Sequence, residues 1–133
     1  MLNLATAYWC VLIAALLPYL WVAVAKSSGE RYDNRDPRGW MARQTNPRVQ
    51  RANAAQLNGY EAFPPFAASV ILAQLAGVAA DRIALLAMAF IVLRVLHGLV
   101  YVAGLNHTLR SLVWFGALAC VLALFALAAL RVA

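Results

Sequence analysis

The stretch RANAAQLNGYEAFPPF, residues 51–66, decides how this chain is read. At helical spacing Arg51, Asn58, Glu61 and Pro65 step by seven, three and four residues, so they share one face, with Ala55 and Ala62 between them. Residues 67–80, which follow, are almost wholly apolar. An arginine, an asparagine and a glutamate therefore enter a long hydrophobic helix in a single line. Ionisable groups in such a helix are costly unless they face a protein interior and find partners, so the line marks a candidate site. The plainer reading, a polar helix end that stops short of the bilayer, accounts for Arg51 better than for Glu61.

The totals agree with a membrane setting. Of 133 residues, 65% are hydrophobic and 12% charged, where soluble domains carry about 25% charged residues. Mean hydropathy is +0.73. Four long apolar runs predict an all-α integral membrane protein of one domain, residues 1–133, with spans near 4–25, 48–79, 83–103 and 109–130. The net charge of +6 does not point to nucleic acid, because most of it sits in one loop between spans, where it acts as an orientation signal. Cys10 and Cys120 lie inside apolar runs and read as small buried hydrophobes.

The first run has no Lys or Arg before it, so Ala23-Val24-Ala25 is not read as a signal-peptide cleavage site and the first helix is expected to be retained. Pro18 predicts a kink, and Pro64-Pro65 a bend in the second helix that frees backbone carbonyls. Tyr8, Trp9, Tyr19 and Trp21 suit the two interfaces. Residues 26–47 read as a solvated basic loop, with Trp40 dipping into the headgroup region and Asp33 and Asp36 free to meet a ligand amine. Asn46-Pro47 is a helix start, Thr108 a cap for the fourth helix, and Gln74 an interhelical hydrogen-bonding group. The positive-inside rule places loops 26–47 and 104–110 in the cytoplasm and both termini on the opposite side.

A second polar line follows. Arg94, His97 and Tyr101 step by three and four, and Arg110-Ser111 open the last helix. Both lines fall in the cytoplasmic half of their helices, so Arg51, Asn58 and Glu61 are expected to face Arg94, His97, Tyr101 and Arg110. With arginines outnumbering Glu61, such a pocket prefers an anion, and arginine forks onto carboxylates in bidentate fashion. Glu61 suits an amine, and Asn58 both donates and accepts. If the ligand bears a thiol, Arg110 at a helix N-terminus is placed to favour the thiolate, with Ser111 beside it as a donor. His97 and His107 have no companions at metal-ligand spacing, so no metal is expected. No phosphate loop, dinucleotide motif or nucleophile elbow is present.

These two blocks together resemble the membrane-associated proteins in eicosanoid and glutathione metabolism, the MAPEG family: Arg51-Ala52, Asn58-x-x-Glu61 and Pro65-Phe66 in the first, Arg94-Val-Leu-His97, Tyr101 and Arg110-Ser111 in the second. The resemblance covers nearly the whole chain. It implies a four-helix bundle assembled as a homotrimer in a membrane, expected here to be a bacterial inner membrane, with glutathione bound between subunits near the cytoplasmic face. It implies that Arg51, Asn58, Glu61, Arg94, His97 and Tyr101 bind glutathione and that Arg110, with Ser111, acts on its thiol. Many members carry a second arginine four residues before the asparagine; here Ala54 stands there. The second substrate is expected to be a lipophilic electrophile arriving through membrane lipid, in a transferase or peroxidase reaction. Two other classes stay open: a non-catalytic membrane module with a structural or lipid-binding role, and a small multidrug-type transporter using Glu61.

Overall fold

Local sequence signals set the helix ends. In the computed structural model, which describes residues 2–133, there are five helices: α1 (Leu4–Ser28), α2 (Pro37–Arg43), α3 (Pro47–Leu75), α4 (Ala80–Ala103) and α5 (His107–Val132). Asparagine opens three of them. The Asn3 side chain accepts from the Thr6 N–H, and Asn46, followed by Pro47 in the first turn, accepts from the Arg48 N–H. Asn106, rather than the expected Thr108, caps α5 by accepting from the Thr108 and Leu109 N–H groups. Glycine closes two. Gly77 (φ 77°) and Gly104 (φ 69°) take the left-handed conformation, and in each case the residue after the glycine donates back to the carbonyl five positions before it, Val78 to Ala73 and Leu105 to Val100. That turn ends α3 at Leu75 rather than near residue 79.

The basic stretch 26–47 also departs from the sequence reading: it contains a helix of its own. Asp36 caps α2 by accepting from the Gly39 N–H at 3.0 Å, and Pro37 sits in its first turn. Trp40 on this helix turns inward instead of toward the headgroups. It is 3% exposed, donates its indole N–H to the Arg31 carbonyl at 3.0 Å, and meets Tyr32 edge-on. Asp33 and Asp36 are engaged within the loop by Arg35 and Arg43, the two ion pairs found among the described residues. The Arg35 side chain and backbone N–H hold the Asp33 carboxyl below the ordinary aspartate range.

Three helices, α1, α4 and α5, are long and apolar enough to cross a membrane. The helix α3 is longer still, 29 residues, but Arg48, Arg51, Asn58 and Glu61 interrupt its first half. It stays helical through Pro64-Pro65, where the carbonyls of Tyr60 and Glu61 lose their usual donors.

The four long helices pack with α1 against α3 and α4, and α5 against α3 and α4. Small side chains such as Ala7, Cys10, Ala14, Ala73, Ala87, Ala117 and Cys120 let the backbones approach, and Phe66 stacks on Phe90 with ring centroids 3.8 Å apart. Both cysteines are buried and free. The Tyr8 hydroxyl donates to Gln74, an interhelical bond of the kind expected for that glutamine. A second cluster, Trp21, Ala25, Trp40, Val49 and Val102, fills the end of the bundle next to α2.

Helices α1 and α4 approach closely, and a Cβ at position 98 would overlap the Trp21 indole. Gly98→Ala is therefore expected to destabilise by about 1–3 kcal/mol through overpacking, read as a lower unfolding temperature in detergent. The further change Trp21→Phe should recover part of that loss, and additive losses would show that the two positions do not share a contact.

Candidate functional site

Three helices build the site. The helix α4 carries Arg94 and His97 inward, 5% and 3% exposed, with Tyr101 half-buried a turn beyond. The helix α3 brings Asn58, Glu61, Ala62 and Pro65 to the same seam, and α5 brings Arg110, Ser111 and Trp114 from its opening turns. Two cavities result. One, about 180 Å³, is lined by Asn58, His97, Tyr101, Arg110, Ser111, Trp114 and Phe115. The other, about 120 Å³, lies between Asn58, Glu61, Arg94 and Trp114 on its polar side and Pro65, Phe90, Leu118 and Val121 on its apolar side. Asn58 and Trp114 line both, so a polar chamber adjoins a mainly apolar one across an amide and an indole.

The polar chamber is held by aromatic contacts. The Arg110 guanidinium lies 4.4 Å over the Tyr101 ring, and the His97 ring meets Tyr101 edge-on at 5.6 Å. Tyr101 thus fixes a cation and an imidazole on one wall. A guanidinium over an aromatic face keeps its N–H edge free for a ligand. Two buried polar atoms, Asn58 Oδ1 and His97 Nδ1, have no hydrogen-bond partner, and both residues line this chamber. Buried polar groups are nearly always satisfied, so a pair without partners on one cavity fits a polar ligand.

The second chamber holds opposite charges apart. Glu61 and Arg94 both line it, yet no ion pair joins them, and the Asn58 side-chain N–H meets the Glu61 carboxylate only at 3.5 Å. Arg94 has no carboxylate within ion-pair distance among the described residues. Two guanidiniums, from Arg94 and Arg110, thus stand against one carboxylate around the adjoining cavities. That balance favours an anionic ligand carrying one positive group.

Of the residues singled out in the sequence, seven line these chambers: Asn58, Glu61, Arg94, His97, Tyr101, Arg110 and Ser111. Arg51 does not. Its Nε donates to the Val102 carbonyl at 3.1 Å, and its guanidinium lies against Gly104, where a Cβ would stand 2.9 Å from Arg51 Cζ. There it ties the first turns of α3 to the last carbonyls of α4, the end of a helix that attracts cations. Trp114, in contrast, was hidden in an apolar run. The signal for it is its place four residues after Arg110, on the same face of α5.

Replacing Arg51 by Gln removes the charge-assisted bond to Val102 and is expected to cost about 1.5–3 kcal/mol of stability. Thermal unfolding in detergent measures it, and an unchanged midpoint would show that the bond carries no weight.

A family model described as the MAPEG family matches residues 6–130 of the chain. A search of curated proteins gave no match.

Proposed function

The chain belongs to the MAPEG family, and from that premise we propose that it is a glutathione-dependent membrane enzyme, a transferase or peroxidase acting on a lipophilic electrophile. The family includes glutathione-dependent enzymes and non-catalytic members. The observation that carries the catalytic reading is the junction at Asn58 and Trp114: a chamber bearing Arg110, His97 and Tyr101 opens beside one lined by Phe90, Leu118 and Val121. An enzyme joining a charged thiol peptide to an apolar partner needs both environments within a bond's reach. A lipid-binding module has no use for the first.

The residues present fit glutathione, which has two carboxylates, one amine, one thiol and a net negative charge. Arg94 and Arg110 supply forked donors for carboxylate or thiolate, Glu61 accepts from the amine, and the partnerless Asn58 Oδ1 and His97 Nδ1 gain partners. Glutathione supplies the nucleophilic sulfur. Within the protein, Arg110 at the start of α5 adds its own charge to the positive end of the helix dipole, and Ser111 offers a hydroxyl. A free thiol has a pKa of about 8.5, and each unit of lowering needs about 1.4 kcal/mol of preferential stabilisation of the thiolate. A close guanidinium at the positive end of a helix supplies that. In the transferase reaction the sulfur forms a bond to the electrophilic centre, and the electron pair leaves with the displaced group or moves onto the acceptor.

The same reading takes α3 as a fourth span, its polar half sheltered by α1, α4 and α5. It places loops 26–47 and 104–110 in the cytoplasm with both termini opposite, the chain in a bacterial inner membrane, and three copies in a homotrimer. Arg51, at the edge of the bundle, is then available to a neighbouring subunit's ligand.

Two measurements test the proposal. Calorimetric titration of the solubilised protein with glutathione is expected to show binding, and its absence at about millimolar ligand would remove the reading. Arg110→Ala is expected to lower turnover of a model electrophile at neutral pH by about a hundredfold. Because the lost function is thiolate stabilisation, the variant should recover as pH rises toward the free thiol value. A loss independent of pH, or no loss, contradicts the role given to Arg110.

A further inference from the structure

At the end of the bundle away from the chambers, α3 turns into α4 beside the last turns of α5. A hollow of about 400 Å³ lies there, lined by Gly77, Val78, Ala79, Arg82, Leu127, Leu130 and Arg131. Arg82 and Arg131 are both exposed, and neither has an ion-pair partner among the described residues. Arg131 suits its place at the C-terminal end of α5, whereas Arg82, in the first turn of α4, stands where a helix dipole disfavours a cation. A second hollow of about 410 Å³ adjoins the first: Ala76 lines one and Gly77 the other. This one is apolar, walled by Leu72, Leu75, Phe125 and Val132. Leu75 and Leu130, at 75% and 77% exposure, are among the barest large apolar side chains of the protein.

We propose that these adjoining hollows form a binding site for one anionic phospholipid, with Arg82 and Arg131 on its phosphate and the α3–α5 groove holding an acyl chain. Charge complementarity selects this occupant. A zwitterionic lipid leaves two guanidiniums facing a headgroup with a cation of its own. A free phosphate leaves the apolar groove unused. A second copy of the chain bringing the same face would set Arg82 and Arg131 against arginines. Arginine forks onto phosphate oxygens, and basic groups beside an apolar surface are how membrane proteins hold anionic headgroups. The site lies at the opposite end of the molecule from the polar chambers, so it is independent of the reaction proposed for them.

Native mass spectrometry of the full chain released from detergent, with phosphatidylglycerol or phosphatidylcholine added, tests the proposal. The wild type is expected to retain one phosphatidylglycerol per chain preferentially. Arg82→Gln and Arg131→Gln should each weaken retention about fivefold, and the double variant about thirtyfold. The double Lys variant should keep most of it, which separates lost charge from a lost fold. Arg35→Gln with Arg38→Gln, in the basic loop at the other end, should leave that lipid in place. Equal retention of both lipids by the wild type, unchanged retention by the double Gln variant, or loss on changing Arg35 and Arg38 would overturn the assignment. So would a second copy of the chain, in place of lipid, lost in the same double Gln variant.

Discussion

The arrangement depends on the placement of Arg94, a permanently charged group buried among apolar helices with no carboxylate close enough to pair with it. A guanidinium in such a place is expensive, and proteins keep one only where a cavity, a partner or a ligand repays the desolvation. Here the cavity is at hand. Glu61 lines the same chamber at a distance, so the two charges lower each other's cost without closing on each other. A closed ion pair would leave nothing to offer a ligand. Held apart, the two groups keep their hydrogen-bonding edges open, and the packing of α3, α4 and α5 is what keeps them so.

Around this pair the rest of the bundle reads as support. Phe90 lines the apolar chamber and stacks on Phe66 behind it, joining α4 to α3. Tyr101 holds both Arg110 and His97 by its ring, so one aromatic side chain orients two polar ones. Arg51 clasps the last turn of α4 from the far side. The polar chamber is therefore lined by side chains that hold one another in place.

Much of this was legible in the sequence. The steps of three and four that join Arg94 to His97 to Tyr101, and Asn58 to Glu61, carry enough periodicity to place those residues on facing surfaces, and the chambers bring them together. What periodicity cannot give is depth and reach. Arg51 shares the face of Asn58 and Glu61, but it lies two turns nearer the helix end, and its long side chain finds the uncapped carbonyls of α4 first. Trp40 is a similar case. A tryptophan in a basic loop suits the headgroup region by composition, yet a seven-residue helix with its own cap and proline turns it into the core. Trp114 was missed because an indole among leucines and valines carries no mark of polarity, and only its spacing from Arg110 tells it apart.

The seam between α1 and α4 has a mechanical consequence. With the Trp21 indole laid directly on the backbone at Gly98, and Pro18 pressed against Gly59 of α3, the first helix is keyed into its neighbours by shape. Parting it from them would mean lifting a ring out of the notch that Gly98 leaves for it. On the other flank Leu93 of α4 lies close over Gly116 of α5, where a Cβ would stand 3.2 Å from the nearest Leu93 methyl. Sliding α1 or α5 along α4 would drive a side chain into backbone, so the two glycine notches of α4 and α5 resist shear between the helices.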